Sequence, residues 1–116
     1  MQLLALPEYF ALTPEQKSAI CNGFGPADCW KARLVPNALL GVDFTEACNA
    51  HDLEYHLGRD RLAADWRLHC NMVAACLSHC KGNLLGSVEL RMLLAACGVF
   101  LLAVHEHGEP FFGVDR

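Results

Sequence analysis

Apolar positions recur along this chain with the three-to-four-residue period of a helix, and no stretch keeps the period of two that a half-buried strand would show. Thr13-Pro14-Glu15-Gln16 is a helix start, with a Thr cap, Pro in the first turn and Gln three residues after the cap. That helix is short, because Asn22-Gly23-Phe24-Gly25-Pro26 follows, and two glycines plus a proline forbid regular helix. A loop then runs to about Val42, punctuated by Pro36 and Gly41. Asp43-Phe44-Thr45-Glu46 opens the next helix, with Asp43 or Thr45 as the cap and Glu46 placing negative charge in the first turn. It is predicted to continue to Leu57 and stop at Gly58. Asp60 can cap a third helix, 61 to about 80, on which Leu62, Trp66, His69, Val73, Cys76 and Cys80 make one apolar stripe. Lys81-Gly82-Asn83 ends it, Ser87 can cap a last helix through Val104, and a Gly- and Pro-containing tail carries Phe111 and Phe112. The longest apolar run, 93–104, is too short to span a bilayer and reads as a buried helix. The expected fold is all-α, a small helical domain with two long antiparallel helices joined by a tight turn at 58–60.

At 116 residues the chain fits one domain, 1–116. A hydrophobic share of 53% against 19% charged residues excludes disorder. The net charge of -4 argues against nucleic acid as a partner, because phosphates need a basic face. It also argues against an electrostatic grip on anionic lipid, so membrane contact would be hydrophobic. The N-terminal MQLLALPEYF has no basic region, and Pro7 and Glu8 break its apolar run, which makes it a poor secretory signal. The expectation is a cytoplasmic protein or one exported by a non-classical route. Seven cysteines (21, 29, 48, 70, 76, 80 and 97) are an odd number, so at least one is a thiol or an intermolecular link. Without a signal, oxidised and reduced states are both open.

Chemistry concentrates in Cys48-Asn49-Ala50-His51-Asp52-Leu53-Glu54-Tyr55. His51 and Asp52 leave one helix about 100° apart, so they address one cleft but do not easily bond each other. His51 therefore needs an orienting carboxylate from another element, and Asp65 on the antiparallel third helix is placed to supply it. A buried carboxylate accepting one imidazole N–H fixes the tautomer and leaves the other nitrogen basic. Asp52 is then available for a metal. A carboxylate, backbone carbonyls from a Gly-rich loop and water form an all-oxygen set that suits calcium, and glycines at 23 and 25 let the carbonyls turn inward. The implied reaction is acyl transfer to water, with calcium and a loop N–H stabilising the oxyanion. Each piece has a plainer reading: a surface pair or satisfied core histidine for His51-Asp52, a solvated first-turn residue for Asp65, an ordinary connector for the glycine loop. The combination is what points to chemistry.

Asn22-Gly23-Phe24-Gly25-Pro26, then Cys48-x-x-His51-Asp52-x-x-Tyr55, then Ala64-Asp65, resembles the secretory phospholipase A2 superfamily, in the style of its compact bacterial and phage-like branches. The resemblance runs from about residue 20 to 75. It implies His51 as general base, Asp65 as the residue that orients it, Tyr55 as a brace and Asp52 as a calcium ligand. It further implies calcium ligation by the carbonyls of Gly23, Gly25 and Ala27, with the Gly25 N–H serving the oxyanion. The substrate class it implies is a phospholipid at a membrane interface, cleaved at the sn-2 ester. Two departures stand out. The family's loop cysteine is Phe24 here, so Cys48 pairs with Cys21 or Cys29 or stays reduced, and Leu53 and Glu54 occupy the region of a second helix disulfide that is therefore missing.

His69, Cys70, His79 and Cys80 lack a Cys-x-x-Cys knuckle, and the two pairs lie nearly three turns apart, so core cysteines are the better reading than a zinc set. His105-Glu106-His107 is explained either by weak metal binding or by a helix C-terminus that favours cations. Leu3, Leu4, Leu6, Tyr9 and Phe10, with Phe111 and Phe112, either rim a lipid-accepting cleft or close the core. Rivals to an esterase are a non-catalytic binding module of the same fold, and the same activity used as a toxin, effector or phage component.

Overall fold

The computed structural model describes residues 3–21, 38–80 and 88–113. Five helices and one very small hairpin account for them: α1 (Pro7–Phe10), α2 (Pro14–Cys21), β1 (Ala38–Leu39), β2 (Val42–Asp43), α3 (Thr45–Leu57), α4 (Arg61–His79), α5 (Val88–His107) and a closing 3-10 turn, Glu109–Phe111. Apart from the hairpin the described chain is all-α. Each helix start is written locally. At α2 the Thr13 hydroxyl accepts from the Gln16 N–H at 3.1 Å while the Gln16 side chain accepts from the Thr13 N–H at 2.9 Å, a reciprocal capping box. Asp43 accepts from the Thr45 N–H at 2.8 Å ahead of α3, and Asp60 caps α4 by accepting from Ala63 N–H at 3.0 Å. α3 stops at Gly58, which sits at φ +64 and returns its N–H to the Glu54 carbonyl.

The hairpin is a departure from the strand-free expectation. Leu39 pairs with Val42 and Ala38 with Asp43 across Leu40 and Gly41, both at positive φ, the turn that matches strand twist. Two residues a side are too few to leave a period-two signal.

α3 and α4 form the antiparallel pair expected around 58–60, and α5 packs antiparallel along the other side of α4, as the Asp65–His105 contact toward the start of α4 and the Cys76–Cys97 contact toward its end show. The core gathers Phe44, Cys48, Tyr55, Leu68, Met72, Cys76, Leu93, Cys97 and Val104. A smaller cluster of Tyr9, Ala50 and Leu53 is covered by Leu3, Ala5, Leu12, Ile20 and Leu57, so Leu3 and Ala5 serve core closure. The N-terminal segment is also pinned by polar bonds. The buried amide of Asn71 accepts from the Leu4 N–H and donates to the Leu4 carbonyl, both at 2.8 Å. Tyr9 and Lys17 both bond the carboxylate of Glu46, and burial pushes the Tyr9 phenol up to about 12.

Two expectations change. The α4 face that is buried is Ala64, Asp65, Leu68, Asn71, Met72 and Cys76, whereas Leu62 and Trp66 from the apolar stripe are exposed. The face is rotated because Asp65 and Asn71 go inward to make hydrogen bonds that a hydrophobic count does not see. The last helix is longer than the run 93–104 and is not a buried one. α5 has 20 residues and contains an 18-residue window of mean hydropathy 1.8, long and apolar enough by length and composition to cross a membrane, yet only Leu93, Cys97 and Val104 on it are buried. Gly98, mid-helix with open space around the position of a Cβ, makes a direct check. Gly98→Ala is expected to raise stability by about 0.5–1 kcal/mol in urea unfolding.

Candidate functional site

The site is built around one carboxylate. Asp65 lies one turn into α4, is fully buried, and meets groups from three helices. Its Oδ1 accepts from the Tyr55 hydroxyl at 2.7 Å and lies 2.8 Å from His51 Nε2. Its Oδ2 lies 2.9 Å from His105 Nδ1 and 3.8 Å from Arg61 Nη1. His51 and Tyr55 share a face of α3 because they are four residues apart, and their rings lie tilted with centroids 4.3 Å apart. Burial alone would push the Asp65 carboxyl up, but the hydrogen bonds from His51, Tyr55 and His105 together hold it below the usual carboxylate range. Asp65 is therefore an acceptor only, which assigns the proton to His51 Nε2 and to His105 Nδ1. Burial and the neighbouring Asp65 charge push the Tyr55 phenol up, so it remains a donor.

This depression has a stability consequence. A carboxyl lowered on folding contributes stability that is present above its unfolded value, about 3.9, and lost as pH falls through its folded value. Urea midpoints of the wild type are expected to fall steeply as pH drops below about 4, and those of Asp65→Asn to fall less over the same interval.

The brace around Tyr55 comes from the tail. Phe112 packs edge-on against its ring at 5.2 Å, and the Gly113 N–H donates to the Tyr55 carbonyl at 2.7 Å. A Cβ on Gly108 would overlap the Tyr55 hydroxyl and come within 2.6 Å of the Val104 carbonyl. Gly108 is needed for this close approach, not for its φ, which is an ordinary -83°. Gly108→Ala is expected to cost about 2–4 kcal/mol in urea unfolding. Where the resemblance implied a missing disulfide, buried Glu54 accepts from Arg67 Nε at 2.8 Å and ties α3 to α4 by charge instead.

The sequence-predicted residues divide into two groups. His51, Tyr55 and Asp65 come together. Asp52 follows His51 on α3 and is also buried. The proposed loop ligands Gly23, Gly25 and Ala27 lie outside the described residues, as does Cys29 and the side chain of Cys21, so the pairing of Cys48 lies there too. Among the described residues no three His, Cys, Asp or Glu side chains converge on a common point where they could hold a metal. A calcium site of the expected kind draws on a single carboxylate plus backbone carbonyls, and a buried aspartate beside the histidine fits the hard oxygen donor such a site needs.

His105 joins the site although the sequence suggested for it only weak metal binding or the cation preference of a helix C-terminus. His105 is two residues from the end of α5 and Asp65 four residues into α4, and antiparallel neighbours bring those ends together. That register was the available signal. Arg61 reinforces it by donating to the His105 carbonyl at 2.6 Å. His105 is also the most exposed member of the network, its side chain 44% exposed.

Compared with protein-family profiles, curated protein sequences and solved structures, the chain matches none.

Proposed function

We propose that the chain is a calcium-dependent carboxylic ester hydrolase of the phospholipase A2 type, acting on the sn-2 ester of glycerophospholipids. The observation that carries the reading is the 2.8 Å approach of His51 Nε2 to the buried carboxylate of Asp65. An imidazole whose Nε2–H is committed to a carboxylate has its lone pair on Nδ1 and gains basicity from the negative charge behind it. Nδ1 takes a proton from water as the water oxygen attacks the ester carbonyl carbon. On collapse the ester C–O bond breaks and the imidazolium returns the proton to the leaving alkoxide, giving a fatty acid and a lysophospholipid. Asp65 keeps its charge throughout, because Tyr55 and His105 hold it as an acceptor. Asp52, with the carbonyls of Gly23, Gly25 and Ala27, would hold the calcium ion, which when bound supplies charge to stabilise the oxyanion. The Gly25 N–H would donate to the same oxygen. The chain's net charge of -4 and its exposed apolar side chains favour a neutral lipid surface over an anionic one.

The experiment is release of fatty acid from phosphatidylcholine labelled at the sn-2 acyl chain, in mixed micelles with calcium or with a chelator. Label is expected in calcium, falling by about a hundredfold or more in chelator. No release above the buffer blank overturns the reading. The burial of His51, 1% exposed, favours a second one: a non-catalytic module in which the same polar network only clasps three helices. It predicts no release under either condition.

A further inference from the structure

On α5 the exposed side chains Val88, Met92, Ala95, Val99 and Leu102 follow one another in steps of four, three, four and three. This is the heptad spacing of a helix seam, period 3.5, and it lies opposite the Leu93, Cys97 and Val104 side that packs on the core. Val88 is 67% exposed, Met92 58%, Val99 61% and Leu102 70%. We propose that this seam is the self-association surface of the chain, where α5 of one copy packs antiparallel against α5 of a second copy about a two-fold axis.

Three observations select that occupant. The first is the period. Although α5 is apolar over most of its circumference, its exposed apolar side chains are these five alone, and their four-three spacing is the one that knobs-into-holes packing against another helix uses. The second is charge. With the axis passing between Ala95 and Val99, Met92 faces Leu102 of the second copy, Ala95 faces Val99, and Glu106, opposite Val88 at the edge of the seam, comes within about one turn of Arg91, twice by symmetry. A parallel pair would set Glu106 against Glu106 and Arg91 against Arg91, and would align the two helix dipoles. The third is area. Val88, Met92, Val99 and Leu102 are each more than half exposed, and the same four on a second copy, with the flanking side chains, bring the contact toward the roughly 1,000 Å² that a specific interface must clear. The proposal is independent of the hydrolase reading.

The test is sedimentation equilibrium of the full chain in detergent-free buffer, where a mass near twice 12.8 kDa is expected. The double variant Val99→Glu/Leu102→Glu places two charges in the seam and is expected to raise the dimer Kd by about a hundredfold or more, with far-UV circular dichroism unchanged. Should that variant lose helicity, the charge pair decides. Arg91→Glu and Glu106→Arg are each expected to weaken the dimer several-fold, and the two together to restore it, because only the antiparallel arrangement lets them exchange places. A wild type that stays monomeric at about 100 μM overturns the proposal. So does a dimer indifferent to both sets of variants, or a monomer that instead co-sediments with phosphatidylcholine vesicles, which would give the face to lipid.

Discussion

His51→Gln is expected to lower sn-2 ester hydrolysis by about a thousandfold or more, with a helical circular dichroism spectrum retained. The glutamine amide can still donate to Asp65 from about the same place, so the buried carboxylate keeps a partner and the helices stay clasped. What is lost is a group that accepts a proton near neutral pH. Initial rates and urea midpoints measured on the same preparation separate the two roles. If His51→Gln hydrolyses ester at the wild-type rate, His51 is not the base and the mechanism is wrong. If it instead unfolds at far lower urea while the wild type shows no turnover, the network is structural.

Asp65→Asn is expected to reduce both activity and stability, by about 10²- to 10⁴-fold in kcat and by about 3 kcal/mol in urea unfolding. Asp65 presents two acceptor oxygens, one shared by His51 and Tyr55 and the other used by His105. A carboxamide has one acceptor oxygen and turns an NH₂ toward whichever side loses. If the oxygen stays with His51 and Tyr55, the His105 side meets two donors; if it swings away, His51 loses its orientation. Tyr55→Phe removes one donor to Asp65 and leaves both carboxylate oxygens in place, so it is expected to cost only about 1 kcal/mol. The contrast between the two variants tests whether the carboxylate, rather than any one of its donors, organises the site. Wild-type kcat in Asp65→Asn would contradict that.

Legibility in the sequence followed the range of the forces involved. Caps at Thr13 and Asp60 and the stop at Gly58 were readable because each acts within three or four residues. The meeting of His51 with Asp65 was readable because one tight turn fixes which rungs of α3 and α4 face each other. His105 was not, since its place depends on how α5 registers against α4 at a sequence separation of 40. The buried face of α4 was misjudged because hydrophobic periodicity counts side chains by type. Asp65 and Asn71 are polar yet inward, each satisfied by partners distant in sequence. α5 misled in the opposite sense. Its apolar residues run almost all round the helix, so composition indicated burial without saying which side the core would use. The proposed metal site is a pattern in the sequence: Asp52 sits beside His51 on α3, while its proposed loop partners lie among the residues the structure does not describe.

Whether His51 can be the base turns on which of its ring nitrogens carries the proton, and nitrogen-15 NMR of the imidazole ring, assigned by comparison with His51→Gln, reads this directly. With Nε2–H donated to Asp65, the spectrum is expected at pH 8 to show a protonated Nε2 and a lone-pair-bearing Nδ1 for residue 51. A proton on Nδ1 with a bare Nε2 would mean that the ring is turned away from the role of base, and would contradict the account.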